Sequence, residues 1–170
     1  MAMVAGAKKE ILISIGELHI SKNPTEVMKA TRVASSIVVT VYDPQAALGG
    51  LVHMGLPDSR MATGNNDLPY KFVDVALPHF IESLAAKGLN KQYAVVNIIG
   101  GSQLFNFGGG SGNILNVGTR NAITTRTILS RNGLQVAKTD TGGNKPRTVQ
   151  LEMDTGQVLI SFPGQVGHYL

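Results

Sequence analysis

The chain has no cysteine. No disulfide can staple it, no thiolate can ligate zinc, and thiol chemistry is closed to it as written. It has no tryptophan, only 5% aromatic residues and no basic run. The stacking platform and charge stripe of a nucleic-acid binder are therefore missing. Charged residues are scarce, at 15%, against roughly 25% in an average globular chain. No apolar run approaches the roughly 18 residues of a membrane span. Residues 1–9 carry their lysines after a short apolar stretch, which is not the order of a secretory signal. The expectation is a soluble, cytoplasmic domain with no nucleic-acid partner and no membrane insertion.

What is present fits a folded domain. Of 170 residues, 43% are hydrophobic, enough to build a core without staples. Lys and Arg number 15 against 11 Asp and Glu, a formal charge of +4 that weakly favours acidic partners. There are 20 glycines, well above the usual ~7%, so much backbone sits in turns and close approaches. With no repeat and no linker, residues 1–170 read as one domain, with 1–9 and 163–170 as loose tails.

Residues 11–15 read as a strand, with Gly16 as a bulge and 18–20 continuing it. Residues 33–42 are β-branched and read as one buried strand. Asp43-Pro44-Gln45-Ala46 turns the chain, and 49–56 return as a strand. Residues 67–87 carry apolar side chains at helical spacing. Pro78 predicts a kink or break within that helix. Residues 93–99 form another strand. Seven glycines between 100 and 118 mark a long loop. A second helix is predicted from Asn116 as cap to Gly133 as stop. Strands follow at 134–139, 148–153 and 157–162, the last two joined by the hairpin signal Asp154-Thr155-Gly156. Strands outnumber helices and do not alternate with them, which favours α+β.

His19, His53, His79 and His168 have no metal-ligand spacing, so no metal is expected. Gly108-Gly109-Gly110-Ser111-Gly112 lacks the following Gly-Lys-Ser/Thr of a phosphate loop and the third glycine of a dinucleotide fingerprint, and reads as a surface loop; no cofactor is expected. The first hairpin is more specific. If its turn centres on Pro44-Gln45, paired positions sum to 89, and Ser36 then faces His53 on one sheet face. A hydroxyl beside an imidazole is the geometric minimum for an activated nucleophile. It is also what any satisfied polar pair looks like, and a slip by one residue would separate the two.

Longer strings carry a family resemblance. They are Ile15-Gly16-Glu17 with Lys22-Asn23-Pro24; Tyr42-Asp43-Pro44; Gly49-Gly50 with His53 and Leu56-Pro57-Asp58-Ser59; Gly100-Gly101-Ser102-Gln103-Leu104-Phe105; Asn116-Val117-Gly118-Thr119-Arg120-Asn121; and Asp140-Thr141-Gly142-Gly143-Asn144 with Arg147 and Val149. Over roughly residues 10–160 the chain resembles the CheD family, the chemoreceptor glutamine deamidases of chemotaxis. The resemblance implies an α+β fold with a β-sandwich-like core of mixed and antiparallel strands flanked by helices. It implies hydrolysis of receptor glutamine amides to glutamate, with methyl-accepting chemoreceptors and a CheC-type phosphatase as partners. A cysteine nucleophile, a histidine and a supporting threonine carry the family chemistry.

His53 matches the histidine, and Ser36 stands at the cysteine position. Gly-Ser-Cys of the family pattern appears as Ala34-Ser35-Ser36. A hydroxyl is far less acidic than a thiol, so turnover is expected to be weakened or lost. The threonine position is Ala30. Thr31 is one residue along, where a regular strand turns the side chain to the other face; one extra residue after Asn23-Pro24 would form a bulge that restores it. Ser36 is either natural divergence or an introduced replacement, and the further departures at Ala30 and Ala34 favour divergence. Ser35, Ser102, Gln103, Asn116 and Asn121 are substrate-cleft candidates, although helix capping accounts for the two asparagines and backbone packing for Gly100-Gly101. Two functions stay open: a deamidase using Ser36, His53 and Thr31, and a non-catalytic binding partner of receptors or of the phosphatase.

Overall fold

Two runs of alternating apolar residues fold back to back, and the helices cover one of them. The computed structural model describes residues 6–64, 68–103 and 116–170. Its strands are β1 (Lys9–Leu12), β2 (Glu17–Ser21), β3 (Glu26–Val33), β4 (Ile37–Asp43), β5 (Leu48–Met54), β6 (Val95–Gly100), β7 (Val136–Thr141), β8 (Arg147–Glu152), β9 (Val158–Ser161) and β10 (His168–Tyr169). The helices are α1 (Val73–Ala86) and α2 (Val117–Arg131). One sheet has the order β1-β3-β8-β9-β10 and the other β2-β5-β4-β6-β7. Each contains one parallel pair, β1–β3 and β6–β7. The fold is α+β, with two mixed sheets flanked by helices. Among the described residues no helix is long and apolar enough to cross a membrane.

The alternation along β4 explains the layering. Ile37, Val39 and Val41 join the core under the helices, with Leu77, Phe80 and Leu84 of α1. Val38 points the other way, into a second core between the sheets, with Met28, Val33, Val149, Leu151 and Ile160. Ser36 and His53 belong to this second, inter-sheet side.

Several expectations need correction. Gly16 is not a bulge: β1 and β2 lie in different sheets, and the Gly16 turn crosses between them. Residues 33–42 are not one strand, because the chain bends at 34–36 between β3 and β4. The strand β3 was not expected. Its interior carries Lys29, Thr31 and Arg32, which blur the alternation, yet Met28, Ala30 and Val33 are fully buried.

The helix predicted over 67–87 is α1 preceded by a 3-10 turn at Pro69–Lys71. It runs unbroken through Pro78. Burying Val73, Leu77, Phe80, Ile81 and Leu84, at about 1.5–3 kcal/mol each, outweighs the ~3 kcal/mol of an interior proline. The tail is tied rather than loose. His168–Tyr169 pairs with β9, and the Tyr169 hydroxyl donates to Glu152 at 2.9 Å. Asn116 caps α2 and the hairpin at Asp154-Thr155-Gly156 forms as expected. Residues 1–5, Asp67, Leu104-Phe105 and the Gly108–Gly112 loop lie outside the described residues.

Candidate active site

The β4–β5 hairpin has a four-residue turn, and its pairs run from Asp43–Leu48 to Ile37–Met54. Val38, not Ser36, stands opposite His53. The expected register was therefore off by two residues. An offset of two keeps a side chain on its face, whereas an offset of one would not. Ser36, two residues before Val38, thus still reaches the imidazole: its Oγ lies 2.8 Å from His53 Nε2.

The other ring nitrogen settles the tautomer. His53 Nδ1 lies 3.2 Å from the Ile13 carbonyl. A carbonyl only accepts, so Nδ1 carries the hydrogen and the neutral ring presents a lone pair at Nε2. The Ser36 hydroxyl then donates to Nε2. Both residues are buried, at 3% and 2% exposure. Burial pushes the imidazole pKa below its ordinary 6.5; the Ile13 carbonyl and the Glu17 carboxylate act in the opposite direction but do not cancel it. The Gly16 turn fixes this end of the site. Its N–H donates to the His53 carbonyl at 2.8 Å, and Glu17 pairs with His53 across β2 and β5.

The Ser36 end is held by three consecutive carbonyls. Ala34 O accepts from Ser102 N at 2.7 Å, and Ser36 O from Gly101 N at 2.8 Å. Ser35 O accepts from Asn121 Nδ2 at 2.9 Å. Glycine is needed where these backbones meet. A Cβ on Gly100 would collide with the Ser36 carbonyl, and one on Gly118 would lie 2.6 Å from both the Gly101 and Ser102 carbonyls. Tight backbone packing is thus the role of Gly100-Gly101.

Thr31 lies on a bulge. The β3–β8 register shifts between Ala30 and Val33, and Arg32 takes a left-handed φ of 54°. Thr31 is exposed and lines a cleft of about 330 Å³ together with His53, Arg32, Lys29, Leu12 and Ile15. The hydrogen bond at His53 Nδ1 goes to Ile13, not to Thr31.

The remaining candidates are spread around the bend. Ser35 is exposed. Ser102 is fully buried, and its Oγ has no partner among the described residues. Gln103 is exposed, with its side-chain oxygen accepting from Asn116 Nδ2 at 3.0 Å. Asn116 Oδ1 in turn accepts from Thr119 N, capping α2. Asn121 is fully buried, with Nδ2 bonded to both Ser35 O and Gly55 O. Arg147 pairs with Asp140 at 3.2 Å and reaches the Gly142 carbonyl at 2.9 Å, supporting the turn beside Gln103. Sequence reasoning missed the Ile13 carbonyl, since a backbone group leaves no residue signature. The break at Gly16 was the only trace of the crossover that delivers it.

Comparison with known proteins bears on the family of the chain. The family model for CheD chemotactic sensory transduction matches residues 55–162, a stretch that begins just after His53. A probable chemoreceptor glutamine deamidase CheD of Clostridium novyi is 34% identical over 157 residues, covering 92% of this chain and 95% of that one. Another, of Symbiobacterium thermophilum, is 31% identical over 158 residues, covering 93% and 95%. A third, of Syntrophotalea carbinolica, is 32% identical over 160 residues, covering 92% and 96%. A match over more than half the chain, with relatives aligned nearly end to end, establishes that the chain belongs to the CheD family.

Proposed function

We infer that this chain is a chemotaxis glutamine deamidase of low turnover, acting on glutamine side chains of chemoreceptors with Ser36 in the place of the family cysteine. The observation that carries the reading is the 2.8 Å contact between Ser36 Oγ and the unprotonated Nε2 of His53. Ser36 Oγ attacks the amide carbon while its proton passes to Nε2. The imidazolium gives that proton to the departing nitrogen, the C–N bond breaks, and ammonia leaves. Water, deprotonated by the same Nε2, then cleaves the ester and regenerates Ser36 and the neutral ring. The net change is glutamine plus water to glutamate plus ammonia. The Ile13 carbonyl, bonded to His53 Nδ1, takes the supporting role that the resemblance gives to a threonine, and Thr31 lines the cleft beside His53.

Turnover is low because a serine hydroxyl, unlike a thiol, is almost wholly un-ionised at neutral pH. The test incubates the full chain with receptor cytoplasmic fragments and looks by peptide mass spectrometry for amide-to-acid conversion. Conversion that disappears with Ser36→Ala supports the reading.

A second reading is a non-catalytic partner of chemoreceptors or of a CheC-type phosphatase, favoured by the absence of any cysteine. Retained binding to either partner with no conversion of any glutamine would establish it and end the first.

A further inference from the structure

We propose that Asn121 is a positioning residue, holding the Ser36 hydroxyl against the His53 imidazole by tying together the two chain segments that carry them. The inference rests on the reading of Ser36 and His53 as nucleophile and base. Hydrogen bonding between β4 and β5 ends at the Ile37–Met54 pair. Ser35 and Gly55 lie just beyond it, one residue before Ser36 and two after His53. The single amide nitrogen of Asn121 bridges them, donating to Ser35 O at 2.9 Å and to Gly55 O at 3.0 Å.

The use of an asparagine here is chemically one-sided. Asn121 is fully buried, both N–H bonds are engaged, and Oδ1 has no partner among the described residues. An orphaned buried carbonyl is unfavourable, and a leucine of similar size would fill the space without it. The donors are therefore what the position requires. The helix that delivers them is itself indexed on the site, because Gly118 of α2 packs against the Gly101 and Ser102 carbonyls. The N–H groups of those two residues hold Ser36 and Ala34. Of the three tethers on the 34–36 bend, Asn121 is the one made by a side chain, and it alone also reaches the strand end after His53.

The test uses the full chain with Ser36→Cys, whose thiol is unique because the protein has no other cysteine. Alkylation by iodoacetamide is followed against pH by intact mass, well below the melting temperature. The charged groups around His53 are constant across the series: Glu17 faces it from β2, and Lys29 and Arg32 of β3 line the same cleft. In the Ser36→Cys parent the thiol should titrate below the ordinary ~8.5. Adding Asn121→Leu should move it back up and slow alkylation at pH 7 roughly five- to tenfold. Adding Asn121→Ser, a hydroxyl too short to span both carbonyls, should act in the same direction and keeps the test alive if the leucine variant does not fold.

Variants that melt lower but keep the parent's pH profile would show a merely structural role and overturn the proposal, as would unfolding of both. A parent thiol that titrates at ~8.5 or above would instead overturn the nucleophile–base reading on which it stands.

Discussion

Ser36→Cys is the substitution that most directly probes the site. Sulfur would sit slightly farther from Nε2 than the 2.8 Å of the hydroxyl oxygen. At ~3.3 Å and an effective dielectric of about 20, a thiolate and an imidazolium attract by roughly 5 kcal/mol, equivalent to about three to four pKa units. Burial of both groups, at 3% and 2% exposure, takes part of that back. The Ile13 carbonyl and Glu17 favour the charged ring and return some of it. A net lowering of the thiol pKa by about one to three units is expected. An ordinary thiol is about 3% ionised at pH 7, whereas one lowered by that much is between about a quarter and almost fully ionised. The assay pairs iodoacetamide alkylation with receptor-fragment deamidation, in Ser36→Cys and in Ser36→Cys/His53→Gln. Alkylation should titrate early in the first and near ~8.5 or above in the second, and receptor deamidation should exceed that of the parent chain only in the first. Identical profiles in the two variants would refute the reasoning, since the imidazole would then have no hold on the atom at position 36.

Stability should report the same histidine without any need for turnover. The folded pKa of His53 is below its unfolded ~6.5, so the unfolded chain takes up the proton first on acidification. Stability is retained above that value, falls as pH drops from the unfolded to the folded pKa, and is flat below. Urea melts between pH 7.5 and 5 should show that loss, reduced in His53→Gln, and deamidation should lose rate on its acid limb below ~6.5.

Gly118→Ala should destabilise by about 1–3 kcal/mol, because its Cβ meets two backbone carbonyls at 2.6 Å. That is a fall of roughly 2–4 °C in Tm per kcal/mol, and turnover should fall with it as the 34–36 bend shifts. Gly156→Ala is its control far from the chemistry. The added carbon meets the Tyr42 ring at a φ of 77°, so calorimetry should show a comparable or larger loss of stability with turnover unchanged in the folded fraction.

How much of this was readable beforehand follows from what each feature leaves in the residues. The Ser36–His53 pairing was legible because two side chains on one sheet face tolerate an error of two in register. The turn was placed one residue early, yet the face survived. The strand β3 was illegible because its bulge interrupts the alternation: Thr31 and Arg32 both face outward where one of them should be buried. The same bulge leaves Thr31 on the His53 cleft. Gly16 was read as a local defect because nothing within five residues tells a bulge from a change of sheet. The role of Asn121 was hidden for a different reason. Its partners are carbonyls 86 and 66 residues away, and an asparagine on the first turns of a helix looks like a cap.

The dryness of the site decides which nucleophile it suits. Both a thiol and a hydroxyl mechanism pass through an imidazolium, and burial makes that ion costly at His53. With cysteine, the compensating anion is already present in the resting state, in direct contact with Nε2, so burial strengthens the ion pair as it penalises each member. With serine no anion exists until the carbon–oxygen bond forms, and the imidazolium must develop with only the Ile13 carbonyl and Glu17 to meet it. On the proposed reading, the same 2.8 Å contact would therefore give a slow serine site. A low rate would then be a property of the surroundings of His53 as much as of the atom at position 36. Opening the site to water should narrow the gap between the serine and cysteine forms from both sides.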